Sequence, residues 1–115
     1  MKYLKTLLFV LFVFISTAVY ASYSTYEIVA DTQILTKGGS LCSILIMTNG
    51  TDDAMVILYD NATTTTDITK KLVEITVAGA DNYGGRIWAD PVRFTEGIWA
   101  YVSGTGASFI LEWNK

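Results

Sequence analysis

From Thr25 to Trp113 the chain is a succession of short β-branched and aromatic runs, each broken by Gly, Asn, Asp or Thr. That rhythm constrains the fold more than any other feature, because runs recurring about every ten residues leave room for strands and turns only. No window carries the sustained 3.6-residue apolar period that an amphipathic helix needs. Leu72 to Val77 instead alternates Val73, Ile75 and Val77 with Leu72, Glu74 and Thr76. Gly97 to Ser103 sets Ile98, Ala100 and Val102 against Trp99 and Tyr101, and Ala107 to Trp113 sets Phe109, Leu111 and Trp113 against Ile110 and Glu112. Side chains two apart share a sheet face, so each run has one face to bury. The pattern predicts an all-β protein, an antiparallel β-sandwich or a jelly-roll-like fold of seven to eight short strands. Val56, Leu58, Ile75, Ile98, Val102, Phe109 and Leu111 are its expected core.

The remaining runs fill in this plan. Tyr26 to Ala30 and Gln33 to Thr36 read as a first pair of strands. Leu41 to Thr48 is apolar on both faces, as expected for a central strand covered on each side. Asn49-Gly50 is the strongest short-range hairpin signal, since both residues tolerate the positive φ of a type I′ turn. Ala54 to Asp60 forms the next strand, followed by a threonine-rich loop from Asn61 to Asp67. Ala78 to Gly85 reads as a long turn region. Arg86 to Asp90 is a short strand ending before Pro91, the only proline, at an edge or a bend. Gly104-Thr105-Gly106 is expected to join the last two strands as a tight hairpin.

Ahead of this domain, residues 1–21 have the three-part layout of a signal peptide. Lys2 and Lys5 form a basic start, Leu7 to Ile15 is unbroken apolar sequence, and Val19-Tyr20-Ala21 supplies the small-residue cleavage site. The apolar run is short of the ~20 residues that span a bilayer, so a retained anchor is the weaker reading. Ser22, not a cysteine, directly follows the cut, so a lipidated form is not indicated. The expected organisation is a signal peptide over 1–21 and a single β-sandwich domain over 22–115, exported to the periplasm, cell surface or exterior, with no membrane span after cleavage. Residues 22–115 carry six basic against eleven acidic residues, a net charge of about −5. That balance, with scattered lysines and arginines, argues against nucleic-acid binding.

The residue inventory is poor in catalytic chemistry. The chain has no histidine and one cysteine. It therefore lacks the commonest general base and the usual ligand sets for zinc, copper or iron–sulfur clusters. Cys42, inside Leu41 to Ile46, reads as a small buried hydrophobe, with an intermolecular disulfide as the alternative. Glu74, Asp81, Asp90, Glu96 and Glu112 fall on polar faces or turns, where solvated carboxylates sit. Asp52-Asp53 and Asp60-Asn61 flank one strand at opposite ends, too far apart to share a calcium ion. No catalytic residue, metal ligand or cofactor is assigned, and the chain is read as a non-enzyme. Asn49-Gly50-Thr51 and Asn61-Ala62-Thr63 match glycosylation sequons. The binding candidates are aromatic: Trp88, Trp99 and Tyr101, with Asp81, Asn82 and Tyr83 in the turn region.

The strings Leu58-Tyr59-Asp60-Asn61, Asn82-Tyr83-Gly84-Gly85-Arg86, Pro91-Val92-Arg93-Phe94, Gly97-Ile98-Trp99-Ala100 and Val102-Ser103-Gly104-Thr105-Gly106 occur in that order. Over roughly residues 39–113 the chain resembles small uncharacterised β-sandwich proteins encoded among tailed-phage virion genes and in related bacterial contigs. The resemblance implies a non-enzymatic structural or decoration role, oligomeric, with no transferable catalytic residues. Virion proteins assemble in the cytoplasm, so the leader implies the same kind of domain exported to the envelope or beyond. The expected function is an exported structural or binding module that contacts a protein partner or itself, with carbohydrate recognition by exposed aromatics as the alternative.

Overall fold

The computed structural model describes residues 22–115; the leader expected over 1–21 lies outside them. Eight strands form two four-stranded antiparallel sheets. They are β1 (Tyr23–Ser24), β2 (Thr32–Leu35), β3 (Gly39–Met47), β4 (Ala54–Tyr59), β5 (Lys71–Val77), β6 (Tyr83–Phe94), β7 (Ile98–Ser103) and β8 (Ser108–Asn114). Sheet A runs β1-β8-β3-β6 and sheet B runs β2-β7-β4-β5. First pairs with last, second with seventh, third with sixth, and fourth with fifth. The chain is thus one long antiparallel ribbon, closed at the β4–β5 connection and wrapped into two sheets, which is the jelly-roll order. The only helical elements among the described residues are single 3₁₀ turns at Ile68–Lys70 and Gly79–Asp81.

The core lies between the sheets and follows the expected alternation. Val56, Leu58, Ile98, Phe109 and Leu111 are buried, while Ile75 and Val102 are half-buried and packed against them. In β3 the alternation breaks once. Leu41 pairs with Trp113, then the register shifts before Ser43 pairs with Glu112. The extra residue, Cys42, changes the phase so that Leu41, Ile44 and Ile46 all face inward. The expectation that β3 is covered on both sides fails. It is central within its sheet, yet among the described residues no layer lies over its outer face, and Leu45 is 43% exposed.

Most of the turns do a different job from the one their sequences imply. Asn49-Gly50 does not close a hairpin, because β3 belongs to sheet A and β4 to sheet B. Gly50 does take positive φ, and the Asn49 Oδ1 accepts hydrogen bonds from the backbone of Thr51 and Asp52. The turn chemistry is present, but it carries the chain across the sandwich. Gly104-Thr105-Gly106 likewise connects β7 of sheet B to β8 of sheet A. Tyr26 to Ala30 is not a strand paired with Gln33 to Thr36; its one bridge joins Ile28 to Phe109 in the other sheet. Strands β4 and β5, neighbours in one sheet, are joined through the threonine-rich loop.

The largest boundary correction is β6. Instead of ending before Pro91 it runs twelve residues, and the expected 78–85 turn shrinks to the 3₁₀ turn and Asn82. Its register against β3 explains how a proline fits. Ser43 pairs with Ile87 and Leu41 with Val92, so Trp88 to Pro91 bulge opposite Cys42 alone. Pro91 sits in that excursion on an edge strand, where its missing N–H leaves no ladder bond unmade.

Candidate interaction surfaces

The six sequence-predicted contact residues are distributed over three places. Asp81 and Asn82 are exposed at the end of the β5–β6 connection, with Asn82 at φ 64°. Tyr83 follows them as the first residue of β6, opposite Met47. Trp99 and Tyr101 lie on the outer face of sheet B, opposite Tyr59 and Ile57 of β4. Trp99 is half-buried and Tyr101 is 37% exposed. Trp88 is in sheet A and packs against the core. Trp88 therefore shares no surface with Trp99 and Tyr101, which form one aromatic pair on the outer face of sheet B.

The outer face of sheet A is the feature that sequence reasoning missed. Beyond the bulge, Ser43, Leu45 and Met47 of β3 stand opposite Ile87, Gly85 and Tyr83 of β6. Directly opposed residues point to the same side, so these side chains form one outward patch. Ile87 is 86% exposed and Tyr83 is 69% exposed. Gly85 between them leaves a shallow groove lined by Ser43, Leu45, Tyr83, Gly84, Arg86 and Ile87. Strand β6 is also the edge of its sheet, so a row of its backbone N–H and C=O groups is unpaired. The bulge and Pro91 blunt the second half of this edge. From Tyr83 to Ile87 the pairing with β3 is regular, and among the described residues no further strand pairs with this edge. The alternation in Leu41–Thr48 was the available signal, since a run apolar on both faces needs cover on both.

Elsewhere the acidic side chains hold backbone in place. The Asp60 carboxylate accepts hydrogen bonds from the backbone N–H groups of Thr95, Glu96 and Gly97 and from the Thr95 hydroxyl. Asp53 accepts from the Gly79 N–H, and Asp31 from the Val102 N–H. Among the described residues no three His, Cys, Asp or Glu side chains converge on a metal position. Burial pushes the Cys42 thiol up, with Glu112 adding to the effect. The thiolate that would act as a nucleophile is thereby disfavoured.

Asp60 makes the fold sensitive to acid. Burial pushes its carboxyl up, but the hydrogen bonds from Thr95, Glu96 and Gly97 outweigh burial and hold it below the ordinary carboxylate range. A carboxyl lowered in the folded state stabilises the fold above its unfolded pKa, and this is lost as pH falls through the folded value. Thermal melts from pH 6 down to strongly acid conditions should therefore show a stability loss that Asp60→Ala reduces, with Asp67, also lowered by its hydrogen bonds from Thr69, contributing a remainder. At neutral pH the substitution should cost about 1–2 kcal/mol, moderated by partial solvation of the carboxylate. An Asp60→Ala melt that keeps the parent's acid dependence would assign it to other groups.

No helix among the described residues is long and apolar enough to cross a membrane. Comparison of the chain with protein-family models, with curated proteins and with solved structures returned no match.

Proposed function

We propose that this chain is an exported, non-enzymatic structural or binding module that assembles with copies of itself through β6. The observation that carries this reading is the regular edge from Tyr83 to Ile87, unpaired along its backbone and flanked by exposed apolar side chains. Such an edge is a template for another strand. Antiparallel pairing of two copies about Gly85 sets Tyr83 of each opposite Ile87 of the other. The contact is then self-complementary, as a two-fold interface requires. A chain without histidine is better equipped for binding than for catalysis.

Light scattering on the purified protein tests this. The parent should run as a dimer or larger species, and Ile87→Lys should be monomeric with a melting temperature nearly unchanged after dilution. Because residues 22–115 of each copy carry a net charge of about −5, added salt should strengthen assembly by screening repulsion. A parent that stays monomeric at its highest attainable concentration would refute the assembly. Carbohydrate recognition is the second reading, favoured by the two rings of Trp99 and Tyr101 on one outer face. A glycan array on the parent and on Trp99→Ala separates it from the first.

A further inference from the structure

Three of the six basic residues between 22 and 115 gather around one turn. Lys37 precedes Gly38-Gly39 and lines one cleft together with Lys115, while Arg93 and Lys115 line the adjoining surface that contains both glycines. The ion pairs of the described residues are Lys70–Glu96 and Lys71–Glu74, so Lys37, Arg93 and Lys115 have no acidic partner there. Residues 1–21 contain no Asp or Glu that might supply one. In a domain with a net charge of about −5, the gathering of three basic side chains at one turn stands out.

This cluster borders an apolar cleft of about 410 Å³ at the open end of the sandwich. Ile34 and Leu35 of β2 form one wall and Trp113 of β8 the other, with Thr36, Lys37, Gly38 and Lys115 at the rim. Trp113 points to the same side of sheet A as buried Leu41, its cross-strand partner, and is half-buried. Tyr23 stacks on it, with ring centroids 5.9 Å apart at 22°. The Lys115 ammonium lies 5.0 Å from the Tyr23 ring centroid. Stacking fixes the aromatic wall, and the cation over Tyr23 keeps positive charge at the rim. The volume and the mixture of apolar walls with a few charged groups match a small-molecule site.

We propose that this cleft binds a small amphipathic carboxylate, with its alkyl or aryl body between Ile34, Leu35 and Trp113 and its head group at Lys37 and Lys115. Charge complementarity selects the anion, and the apolar walls select a hydrophobic tail over a sugar or an inorganic ion. The cleft is remote in sequence and register from the Tyr83–Ile87 edge, so ligand binding and assembly are separable.

Calorimetric titration with dodecanoate, below the concentration at which it forms micelles, tests the site. Dodecanol serves as the neutral control, and both the parent and the Ile87→Lys variant are titrated. Dodecanoate should bind about tenfold more tightly than dodecanol in both, the size of one charge-assisted contact. Lys37→Glu, a change at an exposed position, should remove that advantage and leave dodecanol binding unaltered. The Trp113 indole resonance, assigned by its loss in Trp113→Phe, should shift on titration while that of Trp99 stays in place. Equal affinity for acid and alcohol, an unaffected Lys37→Glu variant, or binding only to anionic phosphatidylglycerol vesicles would each overturn the proposal.

Discussion

Phe109→Ala should lower the unfolding free energy by about 3–5 kcal/mol, a loss large enough to unfold a marginally stable domain of this size. The side chain is fully buried and is among the largest of the inward-facing groups. It stands opposite Ile46, itself fully buried, in the middle of sheet A. Truncation removes the transfer energy of the ring and leaves a cavity between two sheets whose separation is set by their other contacts. The backbone of Phe109 keeps its two hydrogen bonds to Ile28, so the loss reports packing and not a broken ladder. Urea unfolding followed by circular dichroism measures it. Leu111→Ala, one inward position along β8, should cost about 2–5 kcal/mol. Val29→Ala at a strongly exposed position should stay within about 0.5 kcal/mol. A Phe109→Ala midpoint near the parent's would mean that the sheets do not pack as described.

A second substitution of comparable effect is Gly104→Ala. Gly104 has φ of +115°, and a Cβ there would overlap the Asp53 carbonyl oxygen and stand 3.2 Å from the Ala54 Cα. Both atoms are backbone, so no side-chain rotation relieves the contact. The crossing from β7 to β8 and the start of β4 have to separate. Strain of this backbone conformation contributes about 1–3 kcal/mol, and the steric displacement adds to it, for an expected total of about 3–5 kcal/mol. Gly50→Asn is the informative comparison. Gly50 also has positive φ, but the nearest atom to its added Cβ is the Asn82 Oδ1 at 3.3 Å, and Asn tolerates that backbone region. Its cost should be about 1 kcal/mol or less. Parallel thermal melts of the two variants distinguish close backbone approach from conformational preference.

What the sequence made legible was what local alternation can encode. Strands β4, β5, β7 and β8 stand where period-two runs placed them, because each has one face that must be buried. Pairing was less legible. Gly104 to Gly106 and Asn49-Gly50 supply the positive φ that a hairpin needs, but the same geometry serves a crossing between sheets. The partner that decides between them is remote in sequence, as Tyr23 is from Trp113. Strand β6 was cut short at Pro91 because only its register against β3 reveals that the proline lies in a bulge. The aromatics Trp88, Trp99 and Trp113 are alike in a one-dimensional reading, and their places inside, outside and at the mouth of the sandwich follow from the bulges and sheet order. Leu45 lies in a run apolar on both faces, which asks for cover on each side but does not say what supplies it. An apolar side chain on an uncovered sheet face looks the same in sequence as one in the core.

The central claim is that the Tyr83–Ile87 edge is occupied by a second copy of the chain. Amide hydrogen exchange of β6, measured by NMR across a series of protein concentrations, addresses it residue by residue. The outward-pointing N–H groups between Tyr83 and Ile87 should become protected as concentration rises, while those of the opposite edge, in β1, exchange at a constant rate. The same β6 amides in Ile87→Lys should exchange at the dilute rate throughout. Exchange from Tyr83 to Ile87 that is fast and independent of concentration in the parent would contradict the account.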